Sequence, residues 1–376
     1  MKIIIVANTD WYNYRFRMSL ASYLRLEGVD VVFVSPFGPY VQRIREQGFR
    51  WVEWTVRRQA INPFTELLNI FSLGQIFARE RPSLVHLHTI KPVLYGSIAA
   101  RLLHVPAVVR SVTGLGYIFL GTDFKASILR LLVKFLYRLV VNRSSGATVF
   151  ENSADRQYFI DNSLIHSVNA HLIEGVGVDT DYYQPLPEPD TIPTVLMAGR
   201  LLWDKGVGTF IDAARLLKKD RNVRFVLVGE PDQGNPSSIS RDVLDEWQDD
   251  EIIEWWGWQS DMRVAFAACH VVVLPSFGEG IPTVLLEAAS CGRPIVATDV
   301  PGCRDVVIHN VNGLLVPLND PMSLCSAIEG LLDDSALRYK MGREGRRIAE
   351  RRFSSRYVNV QTFNLYADLL RVKKYE

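Results

Sequence analysis

One pattern limits what this chain can become: short apolar runs alternate with longer amphipathic ones, and the alternation occurs twice. In the first half, residues 3–7, 31–35, 84–87, 107–111 and 147–150 have strand character, and 15–27, 64–79, 94–103 and 124–141 have helical periodicity. In the second half, residues 194–198, 224–228, 252–255, 271–274 and 295–298 repeat the strand theme. Strands that are apolar on both faces must be covered on both, and a parallel sheet flanked by helices does this. The pattern therefore predicts an α/β protein with two Rossmann-like, parallel-sheet domains. Length agrees, because 376 residues exceed what one core usually encloses. The expected division is an N-terminal domain over 1–178, a linker over 179–193 where Pro185, Pro187 and Pro189 cluster, a C-terminal domain over 194–353, and a terminal helix over 354–376 that crosses back to the first domain.

Within this frame two segments concentrate chemistry. In Ser276-Phe277-Gly278-Glu279-Gly280-Ile281-Pro282-Thr283-Val284-Leu285-Leu286-Glu287 an apolar strand pattern gives way to a helical one. Glu279 is expected on the loop at the carboxyl end of the strand, with Pro282 in the first helical turn, where its missing N–H costs nothing. Glu287 falls inside the helix, with its side chain leaning back toward the N-terminus. Two acceptor groups beside a helix N-terminus suit an anion that also carries hydroxyls, such as a sugar nucleotide. The second segment, Gly199-Arg200-Leu201-Leu202-Trp203-Asp204-Lys205-Gly206, follows the strand at 194–198 and puts two cations on a post-strand loop. Arg200 supplies a fork of donors and Lys205 a compact charge, a pair able to grip a diphosphate. Each segment alone is also explained by an ordinary solvated loop; together they favour a binding site.

These residues carry a resemblance. Gly-Arg-Leu-x-x-x-Lys-Gly at 199–206, Leu-Pro-Ser-x-x-Glu-Gly-x-Pro-x-x-x-Leu-Glu-Ala at 274–288 and Pro-Ile-Val-Ala-Thr-Asp at 294–299, followed by Gly302, resemble glycosyltransferase family 4. The resemblance runs from Lys2 to the terminal helices. It is closest to the bacterial members that extend polyprenyl-diphosphate-linked glycans, through Tyr14-Arg15-Phe16-Arg17-Met18, residues 202–207 and Gly302-Cys303. The resemblance implies the GT-B fold, two Rossmann-like domains facing across a cleft, and a retaining transfer that needs no metal and no cofactor. The implied donor is a UDP-sugar and the implied acceptor a polyprenyl-diphosphate-linked saccharide. By the same resemblance Arg200 and Lys205 neutralise the donor diphosphate, Glu279 contacts donor-sugar hydroxyls and Glu287 holds the ribose. Gly280, Ile281 and Pro282 complete that cradle, and Trp258 lies near the base. Arg17, Lys91, Thr113 and Gly114 are the expected acceptor-binding residues. Many relatives carry a histidine where Thr113 stands, and a hydroxyl cannot relay a proton near neutral pH as an imidazole can. Three rivals share these residues: a transferase with a soluble acceptor, a nucleotide-sugar epimerase, and a non-catalytic sugar-nucleotide binder.

Charge and composition set the surroundings. Residues 1–178 hold 20 Lys and Arg against 12 Asp and Glu, and the remainder holds 22 against 29. An anionic partner for the first half follows, and a membrane surface is favoured over nucleic acid because the segment 124–141 spaces Arg130, Lys134 and Arg138 four apart along an apolar helix that also carries Lys125. No run is long and apolar enough to span a bilayer. The expected location is the cytoplasm, peripheral on the cytoplasmic face of the inner membrane. Cys269, Cys291, Cys303 and Cys325 show no ligand spacing and read as buried thiols. Asp179-Thr180-Asp181 has a metal-binding form but opens the proline-rich stretch, and His86 and His88 are expected on opposite faces of their strand, so neither is read as a metal site. Trp255 and Trp256 are read equally well as core residues, and Glu230 as a cleft residue or a plain cap.

Overall fold

The computed structural model describes residues 1–56, 62–114, 119, 124–141, 146–232 and 234–372. Gly116, considered with Gly114 as a close-approach glycine, and the side chain of Lys125 lie outside the described residues. The chain forms two compact units, one of Met1–Val176 with Ser355–Glu376 and the other of Gly177–Ser354. The helix Ser355–Val372 thus belongs to the first unit. Residues 179–193 are held on the second, where Arg346 donates to the carbonyls of Thr180 and Tyr183, Arg293 to that of Pro187, and Arg338 pairs with Glu188.

Unit 1 is built on β1 (Lys2–Val6), β2 (Asp30–Ser35), β3 (Arg50–Glu53), β4 (Leu84–His88), β5 (Ala107–Val112), β6 (Ala147–Phe150) and β7 (Ala170–Leu172). They form one parallel sheet in the order β3-β2-β1-β4-β5-β6-β7. Val85 and Leu87 of β4 face a layer containing Leu73, Phe77, Val93 and Tyr137. Leu84 faces the opposite layer, which contains Leu20, Leu24, Val358 and Tyr366. Strand apolarity is continuous because each face meets a helical layer. The helix Asp10–Leu26 after β1 begins where the Thr9 side chain accepts from the backbone N–H of Tyr12. Its Asn13 and Arg17 are four residues apart and share the buried face.

Unit 2 contains β8 (Thr194–Ala198), β9 (Arg224–Val228), β10 (Glu254–Trp255), β11 (Val271–Leu274), β12 (Ile295–Thr298) and β13 (Gly313–Val316), parallel in the order β10-β9-β8-β11-β12-β13. Each sheet therefore reverses its strand order once, between β1 and β4 in unit 1 and between β8 and β11 in unit 2. At such a reversal the connecting helices leave to opposite faces, and a crevice opens outside the carboxyl ends of the two strands. The four cysteines are free, and burial pushes the thiols of Cys269 and Cys291 up to about 12. Among the described residues no helix is long and apolar enough to cross a membrane.

The amino end of unit 1 is tied by Glu80, whose carboxylate receives Lys2 at 3.2 Å and Arg50 at 3.1 Å and is 5% exposed. Burial alone would raise its pKa; the Lys2 hydrogen bond and the Arg50 charge outweigh that and hold it below the usual range. Glu80→Gln should cost unit 1 about 1–3 kcal/mol at neutral pH. Because the folded value is depressed, that contribution is present above the unfolded Glu value, about 4.3, and is lost as pH falls through the folded one. Unfolding midpoints of parent and variant should therefore converge in acid, and a gap that stays constant down to pH 3 would contradict this linkage.

Candidate active site

In unit 2 the two sequence segments meet at the strand reversal. The loop after β8 carries Arg200 and Lys205, and the loop after β11 carries Glu279. Lys205 Nζ lies 2.6 Å from both Glu279 oxygens, joining residues 74 apart in sequence. One close backbone approach joins these loops, and a second packs the loop after β12 onto the Glu279 loop. Gly206 has φ of +77°, and a Cβ there would sit 1.9 Å from the carbonyl oxygen of Pro275. Gly302 has φ of +81°, and a Cβ there would meet the carbonyl oxygen of Gly280 at 2.2 Å and that of Glu279 at 2.6 Å. Only glycine satisfies both the backbone angle and the spacing. The Glu279 N–H in turn donates to the carbonyl of Pro301.

Pro282 is extended, with φ −73° and ψ 111°, and stands one position ahead of the helix Thr283–Ser290. The expected place in the first turn is thus shifted by one residue. Glu287 is buried inside the helix. Gly280 and Ile281 form the turn between Glu279 and that helix and are themselves buried. Orphan N–H groups of a first turn make this end favourable to negative charge. Arg200 lies on the same post-strand loop, half-exposed, and pairs with Asp232 at 2.8 Å. Trp255 and Trp256 are half-buried, with indole N–H groups donating to Gly229 and Glu254, whereas Trp258 is 54% exposed. Glu230 pairs with Arg241 at 3.0 Å. A cavity of about 400 Å³, which sequence reasoning missed, opens beside the Lys205 loop and is lined by Trp203, Asp204, Thr209, Asp212, Phe277 and Asn319. Lys205 and Glu279 are not among its lining, so it adjoins their pair without containing it.

The proposed acceptor residues lie in unit 1. Arg17 donates to the Tyr12 hydroxyl at 2.7 Å, and Thr113 hydrogen-bonds the same hydroxyl. Lys91 sits in the first turn of the helix Ile90–Leu102 and is paired with Glu66 at 2.7 Å. Gly114 follows Thr113 with φ of +98°. His86 and His88 require a correction. Residues two apart on a strand share a face, and their rings lie 3.9 Å apart instead of on opposite sides. Burial, then the charge of Arg17, drives both imidazoles well below their usual range. Asp179 accepts from the backbone N–H groups of Asp181 and Tyr182 and so closes a turn. Among the described residues no three metal-ligating side chains converge.

Comparison with known proteins places both halves and the fold. Residues 192–334 match the family described as Glycosyl transferases group 1, and residues 2–145 match that described as Glycosyl transferase 4-like. The chain is 29% identical to the N,N'-diacetylbacillosaminyl-diphospho-undecaprenol alpha-1,3-N-acetylgalactosaminyltransferase of Campylobacter jejuni, over 91% of this chain and 92% of that protein. It is 27% identical to the UDP-Gal:alpha-D-GlcNAc-diphosphoundecaprenol alpha-1,3-galactosyltransferase of Escherichia coli, over 74% and 73%. Its fold is that of a Rickettsia africae glycosyltransferase, with a TM-score of 0.81, 19% identity and 98% of both chains covered. Anabaena HepE, solved with UDP-glucose, gives a TM-score of 0.81 at 20% identity over 99% of this chain and all of that one. With both sheets of the GT-B architecture in place and both halves matched, the chain belongs to the group 1 and family 4-like glycosyltransferases.

Proposed function

We propose that this enzyme transfers a hexose or N-acetylhexosamine, with retention, from a UDP-sugar to a polyprenyl-diphosphate-linked saccharide in bacterial glycan assembly. The observation that carries this reading is the Lys205–Glu279 pair at the β8–β11 reversal, beside the start of the helix Thr283–Ser290. Support for the acceptor class comes from the relatives named for diphospho-undecaprenol substrates, and for the donor class from HepE, solved with UDP-glucose. Lys205 turns from Glu279 to the incoming diphosphate, and Glu279 is then available to accept from sugar hydroxyls. Arg200 adds a second cation, Glu287 takes the ribose, and Trp258 offers an exposed ring to the base. The bond from the anomeric carbon to the diphosphate oxygen breaks, and one to the acceptor oxygen forms on the same face. The acceptor proton passes to the departing diphosphate, which suits a chain with Thr113 where relatives hold an imidazole.

Membrane contact belongs to the same reading, through different atoms from those the sequence singled out. Lys134 donates to Asn162 and lies over Tyr158, and Arg138 donates to the Asn162 carbonyl, so both serve unit 1 itself. What the helix Phe124–Leu136 exposes is apolar: Ile128, Leu131, Leu132 and Phe135. The helix Pro63–Glu80 exposes Phe64, Leu67, Leu68 and Phe71 at the same spacing. Stripes of this kind beside cations lie well in the headgroup region of an anionic bilayer, at the cytoplasmic face where the lipid-linked acceptor would be met.

Transfer assays with UDP-sugars and short-chain lipid-diphosphate saccharides test the whole reading. Transfer to free saccharides alone would favour a soluble acceptor, and sugar interconversion without an acceptor would favour an epimerase. Lys205→Ala should keep UDP binding measurable but lower turnover about 10²–10³-fold, because it removes a charge acting on the leaving diphosphate. Near-parental turnover by the folded variant would refute that role. The reaction should also run unchanged in excess EDTA, since cations and a helix terminus already neutralise the diphosphate; loss of activity restored by manganese or magnesium would overturn this. Finally, Leu131→Ser with Phe135→Ser should weaken sedimentation with anionic vesicles at least tenfold, on the order of 1.5–3 kcal/mol per buried side chain, without altering UDP affinity. Parental sedimentation by the double variant would remove this helix as the anchor.

A further inference from the structure

Unit 1 has its own strand reversal, and buried polar atoms without partners among the described residues gather there. Four side chains contribute: Arg17 through Nε, His88 through both ring nitrogens, Asn13 through Oδ1 and Thr89 through Oγ1. Asn13 and Arg17 come from the helix after β1, and His88 and Thr89 from the end of β4, the two strands between which the order reverses. His88 is 0% exposed and Arg17 7%. Among the described residues no carboxylate forms an ion pair with Arg17. Thr89 has φ of +70°, a region that a β-branched residue enters only under constraint. His86, by contrast, is fully engaged, through Tyr366 at 2.5 Å and Ser111 at 2.7 Å. The half-buried Tyr12 covers the group, with its ring 5.4 Å from that of His88 and its hydroxyl occupied by Arg17 and Thr113.

Buried polar atoms without partners are costly, and a concentration of them calls for a ligand or ordered water. The chemistry of the set narrows the choice. A guanidinium that meets a phenol hydroxyl but, among the described residues, no carboxylate calls for an anion. A neutral imidazole has one donor and one acceptor nitrogen, and Asn13 Oδ1 accepts only, so hydroxyl donors are needed as well. We propose that the carboxyl ends of β1 and β4 form a binding site for a hydroxyl-bearing phosphate group, the saccharide-diphosphate head of the acceptor, with Tyr12 as its displaceable cover. This rests on the lipid-linked acceptor reading. Both substrates carry a diphosphate, but the donor's already has Lys205 and Arg200 in unit 2. Binding moves the Tyr12 hydroxyl off Arg17, giving the guanidinium to the phosphate and the freed His88 and Asn13 atoms to saccharide hydroxyls.

The full-length protein, saturated with UDP to occupy unit 2, is titrated calorimetrically with inorganic pyrophosphate and with N-acetylglucosaminyl-diphospho-farnesol. Arg17→Met should weaken both probes about tenfold or more, as expected for loss of a charged hydrogen bond, and His88→Phe should weaken the saccharide probe selectively. Tyr12→Phe should act in the opposite sense, tightening both several-fold, because the competing hydroxyl is gone. UDP affinity, measured separately, should be unchanged in all three. Opposite signs for Arg17→Met and Tyr12→Phe are not expected of residues that merely support the fold. If Arg17→Met lowers the unfolding midpoint, Tyr12→Phe decides, and equal or weaker pyrophosphate binding by that variant overturns the site. Transfer to the lipid-linked acceptor with a parental KM in Arg17→Met also overturns it while leaving the transferase reading intact. Pyrophosphate binding that depends on Arg17, with no transfer to any lipid-linked acceptor, keeps the phosphate site and removes the acceptor reading.

Discussion

The ion pair between Lys205 and Glu279 is the point on which unit 2 converges. It joins two loops far apart in sequence, and they come together where Gly206 leaves room for the Pro275 carbonyl that any side chain would block. An unpaired charge in this half-buried setting would be costly, so the two residues neutralise each other until something else does. A diphosphate is suited to replace Glu279 as the partner of Lys205, and the displaced carboxylate then has lone pairs for hydroxyls. On the proposed reading, the atoms that make the resting contact are the ones that would meet the ligand.

The two units obey one topological rule with different electrostatics. In both, parallel strands on either side of a reversal open a crevice at their carboxyl ends. In unit 2 that crevice holds a satisfied cation–carboxylate pair. In unit 1 it holds a guanidinium that pairs with no carboxylate among the described residues, two neutral imidazoles in contact and a strained threonine. Polar groups of that kind persist only where the surrounding structure fixes them. Here the fixing is visible, since His86 is locked by Tyr366 from the helix Ser355–Val372 and by Ser111 of β5. The terminal helix of unit 1 therefore does more than cover apolar surface, because it orients the imidazole against which His88 rests.

Much of this architecture was legible in the sequence where burial is two-sided. β6, β8, β9, β11 and β12 begin and end at the expected residues, because a strand covered on both faces leaves an uninterrupted apolar run. β3, β7 and β13 were missed, and all three are edge strands. Arg50-Trp51-Val52-Glu53 has only two apolar residues between charged ends, and β13 opens on Gly313, so neither carries the continuous signal. β10, also an edge strand, is two residues shorter than expected. Motif spacing placed Glu279, Glu287, Arg200 and Lys205 on the correct elements, but the pairing of Lys205 with Glu279 is a tertiary fact that spacing does not contain. The error at His86 and His88 was of a different kind, because a period of two already sends both rings to one side.

The helix Phe124–Leu136 shows why charge spacing alone misplaces function. Cations four residues apart describe one helical face without saying whether that face looks at water, lipid or the protein. Here Asn162 takes both Lys134 and Arg138, and Tyr158 lies under Lys134, so two of the cations are committed to the fold. The exposed surface falls instead to leucines, an isoleucine and a phenylalanine, and the same arrangement recurs on the helix Pro63–Glu80. Two apolar stripes left outside by a unit with a well-formed core cannot be explained by the folding of that unit. They fit the proposed lipid-linked acceptor, whose hydrocarbon tail would lie in a bilayer. On that view the excess positive charge of the first half steers the protein to an anionic surface, while the apolar stripes hold it there.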